Sequence, residues 1–202
     1  MRLFVRPTLF LLLAAAAAPL RAQDIRQISN SERHGFWWGI GLGAASAKVK
    51  CNACGTIDPE TMGMLDLHLG ATLSDHVTLG VQLAGGSKKG AFGNSSDVTV
   101  DVGDLNVSAY YYPKAEGNLW LQGGVTGVVY HASVSTIKRR AVGGGLTLGA
   151  GYDFRFGHKA SITPSVRAAL GGKSDVIKED GSHLASEWQT SFLQAGVSVV
   201  WH

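Results

Sequence analysis

Cys51-Asn52-Ala53-Cys54 is the first group in the chain whose residue types and spacing suit chemistry. Two thiols at this spacing serve a disulfide, a redox dithiol or half of a metal site. A redox pair needs a thiolate held by a helix N-terminus or a nearby cation. Lys48 and Lys50 are cations, but no helix and no βαβ pattern surrounds the motif. A metal site needs two more ligands, for which His131 and His183 are the candidates elsewhere in the chain. Gly55 rather than His follows Cys54, which excludes covalent haem attachment. A small disulfide within one loop is the favoured reading, given the exported compartment argued below.

Two other groups have residue types that suit acyl transfer: His131 with Ser133, and Ser182 with His183. Such chemistry needs a His in reach of both a Ser and a carboxylate. Neither pair sits in a recognisable motif, and Ser182 and His183, adjacent in sequence, point apart on a strand, so no catalytic residue is assigned. Five ionisable residues, Asp66, His68, Asp104, Asp153 and Arg167, lie inside alternating segments and are read as a paired polar network. With Arg167 as the one cation facing three acids, that network carries excess negative charge. Water must then enter, or an acid must be protonated. Lys88, Lys89, Lys138, Arg139 and Arg140, with Lys48, Lys50 and Lys173, gather in the connections. Arg and Lys at such a rim suit lipopolysaccharide phosphates. Asp58, Glu60, Asp97, Asp175, Glu179 and Asp180 share that end and support a plainly solvated surface equally well. No cofactor and no metal are implied.

The elements that position these residues follow from composition and period. The chain has 202 residues, 45% hydrophobic and 16% charged. That excludes a disordered chain, and two cysteines exclude a disulfide-dense scaffold. Residues 1–22 read as a secretory signal: Arg2 and Arg6 are basic, Leu9 to Leu20 is apolar, and Ala22 is a small residue before the cut. No Cys follows the apolar run, so no lipid-modified N-terminus is expected. No later stretch reaches the 18 apolar residues of a membrane-spanning helix. Loss of Arg2, Arg6 and Arg21 leaves 15 basic and 15 acidic residues, a formal charge of zero. The basic balance of the whole sequence is therefore no argument for nucleic acid.

Residues 23–34 are polar, without a period, and read as a flexible periplasmic lead-in. From 35 to 202 the period is two. Phe36, Trp38, Ile40, Leu42 and Ala44 alternate with Trp37, Gly39, Gly41 and Gly43. A helix is excluded there, because Gly at every second position costs nearly 1 kcal/mol each. Seven more such segments follow, through Leu67, Leu79, Leu105, Leu121, Leu148, Val166 and Val197. One slips in phase: Val98, Val100 and Val102 are even, whereas the apolar face is odd from Leu105 on. A β-bulge near Gly103 restores the phase, or the valines lie above the membrane and need no fixed face. Connections near 47–61, 89–97, 131–140 and 173–187 are long and polar; those at 74–76, 113–118 and 155–159 are short. This is the rhythm of an up-and-down barrel with short periplasmic turns and long outside loops.

Which face looks outward is decided by three features. No charge falls on the apolar face of any segment, where it costs about 2–4 kcal/mol in mid-bilayer. Phe36, Trp38, Tyr111, Tyr152, Phe154 and Trp201 gather at the ends of the apolar faces, where interfacial girdles lie. The opposite face is mostly Gly, Ser, Thr and Gln, which suits the narrow interior of eight strands. A secreted barrel with a small apolar ligand inside is the competing reading, and it turns Leu67, Leu121, Leu148 and Val197 inward.

On these features the chain resembles the small eight-stranded outer-membrane barrels, the OmpX-like and OmpA-transmembrane-domain-like family. The resemblance covers roughly residues 36–201. Its last strand, with Leu193, Ala195, Val197, Val199 and Trp201 on one face, is similar to the terminal signal read by the barrel assembly machinery. His202 departs from it, because the aromatic usually comes last. No peptidoglycan-binding domain is expected after Trp201. The resemblance implies an all-β, eight-stranded antiparallel up-and-down transmembrane barrel. It implies an integral protein of the outer membrane of a Gram-negative-type bacterium. The partners expected are outer-membrane lipid, lipopolysaccharide and the assembly machinery. No nucleic acid is expected, and the chain is expected to be monomeric. The role expected is non-catalytic, in envelope integrity or surface interaction through the loops. A lipid A-modifying enzyme is the alternative, distinguished by whether His131 or His183 meets a Ser and a carboxylate at one rim.

Overall fold

The computed structural model describes residues 35–51, 55–90, 98–134, 137–156, 159–178 and 183–202. They form β1 (Phe36–Cys51), β2 (Gly55–Ser74), β3 (Val77–Lys89), β4 (Val98–Tyr111), β5 (Leu119–Val134), β6 (Ile137–Tyr152), β7 (Phe154–Phe156), β8 (Ala160–Lys178) and β9 (His183–Trp201). All pairings are antiparallel between neighbours in the chain, and β9 returns to β1 from Trp38↔Trp201 to Cys51↔Trp188. β6 and β7 both pair with β8 and form one stave interrupted at Asp153. The molecule is therefore a closed, eight-stranded, up-and-down barrel. Closure leaves no strand edge unpaired, as a lipid surroundings demands.

The interruption has a local cause. Pro164 stands in β8 opposite the break and has no N–H to donate. The ladder stops at Gly151↔Ser165 and resumes at Phe154↔Ile162. On the other side of the stave the Asp153 N–H donates to the Asn118 carbonyl at 2.9 Å and continues the β5 ladder past Leu119↔Tyr152.

The apolar face points out. Leu67, Leu121, Leu148 and Val197 are 49, 47, 61 and 49% exposed, so the apolar residues line the outside and the inward-turned soluble barrel is overturned. Toward the outside, outward-facing charge begins only at Lys48, Lys89, Asp101 and Arg140. The apolar band spans five outward positions in β1, Phe36 to Ala44. Nine strand residues rise about 30 Å, and at a barrel tilt that covers the ~25 Å of an outer-membrane apolar band. The exposed aromatic rings of the described residues gather at one end. Phe36, Trp38, Tyr111, Tyr152, Phe154 and Phe156 are exposed at the periplasmic rim, where Trp38 stacks on Trp201 with centroids 4.3 Å apart. Among the described residues, the outward face carries none of these rings at the other end.

Two expectations are corrected. Three of the supposed outside loops are mostly strand. The β1–β2 ladder runs on to Cys51↔Gly55, β5–β6 to Val134↔Ile137 and β8–β9 to Ile177↔His183. Above the lipid a strand needs no apolar face, so the apolar alternation stops where the membrane stops while the hydrogen-bond ladder continues. The bulge near Gly103 is absent. β4 pairs without a shift on both sides through Gly103↔Gly85 and Gly103↔Val129. Val100 and Val102 are instead buried inside the barrel. The phase changes because the valines swap faces relative to the apolar pattern: the inside is apolar at that level.

Candidate functional site

The lumen is stratified, and each layer follows from which residues the alternation turns inward. At the periplasmic end Trp37, Tyr110, Tyr112, Trp120 and Val200 form one cluster. Tyr110 packs edge-on against Trp37 at 5.6 Å and Trp120 at 5.2 Å. Two glycines make room for the indoles. A Cβ on Gly70 lies 2.4 Å from the Trp37 ring, and one on Gly151 lies 2.2 Å from the Trp120 ring. Such rings cover the bare glycine backbone of neighbouring strands.

Above the aromatic layer, a side-chain chain crosses the barrel. Thr126 donates to Asp104, and Arg167 Nη1 meets Asp104 Oδ2 at 2.5 Å. Arg167 Nη2 donates to Gln194 Oε1 at 2.5 Å, and Gln194 Nε2 donates to Asp66 Oδ2 at 3.3 Å. Asp66 also meets the His68 ring, whose Nε2 lies 3.3 Å from Ser198 Oγ. The Arg167 guanidinium lies 5.2 Å over the Phe192 ring. Four of the five predicted lumen residues therefore join in one network from β2, β4 and β8, linked by Gln194 of β9. Asp153, the fifth, stands apart near the mouth. It accepts from Tyr112 Oη at 3.1 Å, Trp120 Nε1 at 3.1 Å and Thr163 Oγ1 at 2.9 Å. Three donors thus converge on this one carboxylate.

Between the two layers lies a cavity of about 40 Å³, bordered by Trp37, Gln82, Tyr110, Gln122, Asp153 and Arg167 among others. It has room for about three waters. The buried excess of acid is thus met by several donors and by space for solvent. A second inward cation exists that sequence reasoning missed: Arg155 of β7 lies between outward Phe154 and Phe156. Parity alone reveals it, since it shares a face with Asp153.

Toward the outside the lumen turns apolar. Met62, Met64, Val100, Val102, Tyr130 and Phe192 lead a buried cluster, with small alanines such as Ala45 and Ala84 between them. Above it Glu60 and Lys88 form an ion pair from β2 and β3. Lys88 therefore points into the barrel mouth and leaves the predicted basic rim. Lys89 and Arg140 are exposed on the outer face. The side chains of Lys138 and Arg139 lie outside the described residues. So do Cys54 and the side chain of Cys51. Trp201, the expected assembly residue, closes the barrel against Trp38 and pairs with Ala160 across β8.

His131 stands on the outer face of β5, opposite Asp101 of β4 and Arg140 of β6. Asp101 is in turn opposite Ser87 of β3. Asp101 thus lies between Ser87 and His131 in this row, while Ser133 shares the outer face of β5 with His131 two residues on. The side chain of His183 lies outside the described residues.

The outer membrane protein beta-barrel domain family matches residues 8–200. Among solved structures, the chain is similar to Neisserial surface protein A at 13% identity and TM-score 0.52, covering 81% of this chain and 96% of that one. It is also similar to the outer membrane protein AlkL in lipid bilayers, at 13% identity and TM-score 0.56, covering 84% and 90%. At these identities the likeness concerns the fold. No curated protein matches in sequence. A closed barrel with an outward apolar band, a periplasmic girdle and a family match over nearly its whole length leaves one assignment: the chain belongs to the outer membrane protein beta-barrel domain family, and its place is the outer membrane of a Gram-negative-type bacterium.

Proposed function

We propose that this barrel is a non-catalytic envelope protein that acts through its outer surface, in envelope integrity or surface contacts. One observation carries the reading. Three hairpins continue the barrel wall past the apolar band, whereas the lumen between them is filled by packed side chains. The surface offered to a partner is therefore strand-built and external. Lys89 and Arg140 face outward just above the band, at the level of lipopolysaccharide phosphates, and Lys138 and Arg139 precede Arg140 on β6. Cys51, at the end of β1, and Cys54, three residues on in sequence, are proposed to form a disulfide in the oxidising exterior. The last strand, with Trp201, is proposed as the contact for the assembly machinery, and the barrel as a monomer after cleavage near Ala22.

The alternative is a lipid-modifying enzyme. Acyl transfer by a Ser needs the His between the nucleophile and the carboxylate. Here Asp101 stands opposite His131 and Ser133 shares its outer face two residues on, but among the described residues no hydrogen bond joins His131 to either, so no assembled triad supports the enzyme. The experiment is to incubate the purified barrel with lipopolysaccharide micelles and measure both binding and released fatty acid. Binding without release is expected. Replacing Lys89 and Arg140 together by Gln weakens binding about two- to fivefold, the effect of two exposed charges. Fatty-acid release that vanishes in His131→Ala sinks the non-catalytic reading.

A further inference from the structure

The lumen cavity holds one polar side chain that the networks around it leave unengaged. The cavity reaches from Thr72 and His202 near the periplasmic end to His68, Gln82, Arg167 and Gln194 at its floor. The charged groups on it already have partners. Arg167 is held by Asp104 and Gln194, and Asp153 by Tyr112, Trp120 and Thr163. Two glutamines on it are also engaged. Gln122 donates to Ser108 and Tyr110, and Gln194 joins Arg167 to Asp66. Gln82 differs from both. It is 5% exposed, and its carboxamide has no hydrogen-bond partner among the described residues. Nor is that carboxamide sealed off, unlike Trp37 Nε1, Asn106 Nδ2 and Arg167 Nε, which are buried out of reach of solvent. Its open side is the cavity.

A buried carboxamide is costly unless it is bonded. Gln82 presents an acceptor oxygen and a donor nitrogen side by side. A group with the same pair reversed closes both with two parallel hydrogen bonds, which a single water does not. The space fits a group of that size. The cavity of about 40 Å³ takes about three water-sized atoms, the heavy-atom count of formamide. Toward the mouth the next residue on this face is Gly80. A Cβ there lies 2.8 Å from the Trp37 ring and 3.1 Å from the Tyr110 ring. Indole and phenol thus wall the approach to Gln82 and suit a flat group. With Arg167 and Asp153 engaged, no charge on the cavity is left to neutralise an ion, so a neutral occupant is favoured.

We infer that the lumen cavity is a binding site for a small neutral carboxamide, held by Gln82 amide to amide and reached from the periplasm. This site is separate from the outer surface on which the proposed function rests, and each stands without the other.

The full barrel is purified in dodecyl maltoside micelles. The Gln82 side-chain NH2 resonances, assigned through the backbone, are followed by NMR. Formamide is titrated in, with formate as the anion of the same shape and methylammonium as a small cation. Formamide is expected to move the Gln82 resonances saturably, with half-saturation no tighter than about 1 mM, the ceiling for three heavy atoms. Formate and methylammonium are expected to need at least about tenfold more, because an ion loses its hydration there. In parallel, saturation transfer from the barrel to the formyl proton is expected in the parent and lost in Gln82→Leu, whose folding is checked by its unheated gel band. If that variant does not fold, the parent titration decides alone. A drift that never saturates and is shared by every glutamine side chain leaves water alone in the cavity and overturns the inference. Equal titrations by formamide and formate overturn it, because neutral pairing then plays no part. Undiminished transfer in folded Gln82→Leu overturns it as well.

Discussion

The periplasmic half and the outer third of the lumen are built from the same eight staves with the same alternation, yet they are filled by opposite chemistry. The first holds indoles and phenols over glycines, then a crossing network of Asp66, Asp104, Arg167 and Gln194. The second holds Met62, Met64, Val100, Val102 and Phe192. The difference shows that alternation decides which residues face inward but not what they must be. The outward face is constrained by lipid at every level of the band. The inward face is constrained only by its own neighbours. It carries charge where partners and solvent space exist, and it is apolar where buried Met, Val, Ala and Phe side chains meet. This apolar third lies between the cavity and the outside, so it is expected to be the barrier to a continuous water path.

The largest effect is expected from breaking the polar layer. Arg167 and Asp104 are almost wholly buried, at 4 and 0% side-chain exposure. Arg167→Met leaves Asp104 with Thr126 as its remaining partner and Asp66 with a slack Gln194. The expected loss is about 3–5 kcal/mol, the cost of stranding one member of a buried pair. Replacing both, Arg167→Met with Asp104→Leu, is expected to recover most of it, because no charge is then left alone. Urea unfolding of the barrel in vesicles, followed by tryptophan fluorescence, measures both. A single variant within 1 kcal/mol of the parent contradicts the pairing argument.

The part of this architecture legible in the sequence is the part that lipid enforces. Leu67, Leu121, Leu148 and Val197 were bound to face out, because one charge among such positions is prohibitive. The lumen charges were legible by parity: Asp66, Asp104, Asp153 and Arg167 fall on the other face. Their division into one crossing network and one separate cluster was not, since Gln194 bridges residues 128 positions apart from Asp66. The apolar third was hidden for a related reason. Val100 and Val102 look like a misplaced lipid face, and only their neighbours from other strands, Met64 and Phe192, show them to be interior. Likewise the outer hairpins read as loops, because a polar ladder has no apolar stripe to announce it. Lys88 read as rim for want of its partner Glu60, 28 residues earlier.

A second experiment opens the dry third without touching the charges. Met62→Ala with Met64→Ala removes two long side chains from its centre. Each deletion is expected to cost about 2 kcal/mol, the low end for buried Met→Ala because the neighbouring chains are able to close in. The more telling readout is electrical. In planar bilayers the parent is expected to pass no steady current, and the double variant to show small, frequent openings. A parent that conducts as well as the variant contradicts the assignment of this layer as the barrier.

The smallest effect, and the sharpest comparison, comes from two swaps of nearly equal volume in opposite layers. Val102→Thr places a hydroxyl in the dry third, where Val102 is buried among apolar neighbours. Thr126→Val removes a hydroxyl from the polar layer, where it donates to Asp104. Each is expected to destabilise by about 1–2 kcal/mol, the first by burying an unpaired hydroxyl and the second by taking a donor from a buried carboxylate. The two differ in their response to a third change. Coupling to Arg167→Met is expected for Thr126→Val, because both act on Asp104, and near-additivity is expected for Val102→Thr. If Val102→Thr is neutral, water reaches that level, and the boundary between the layers lies further out than the valines.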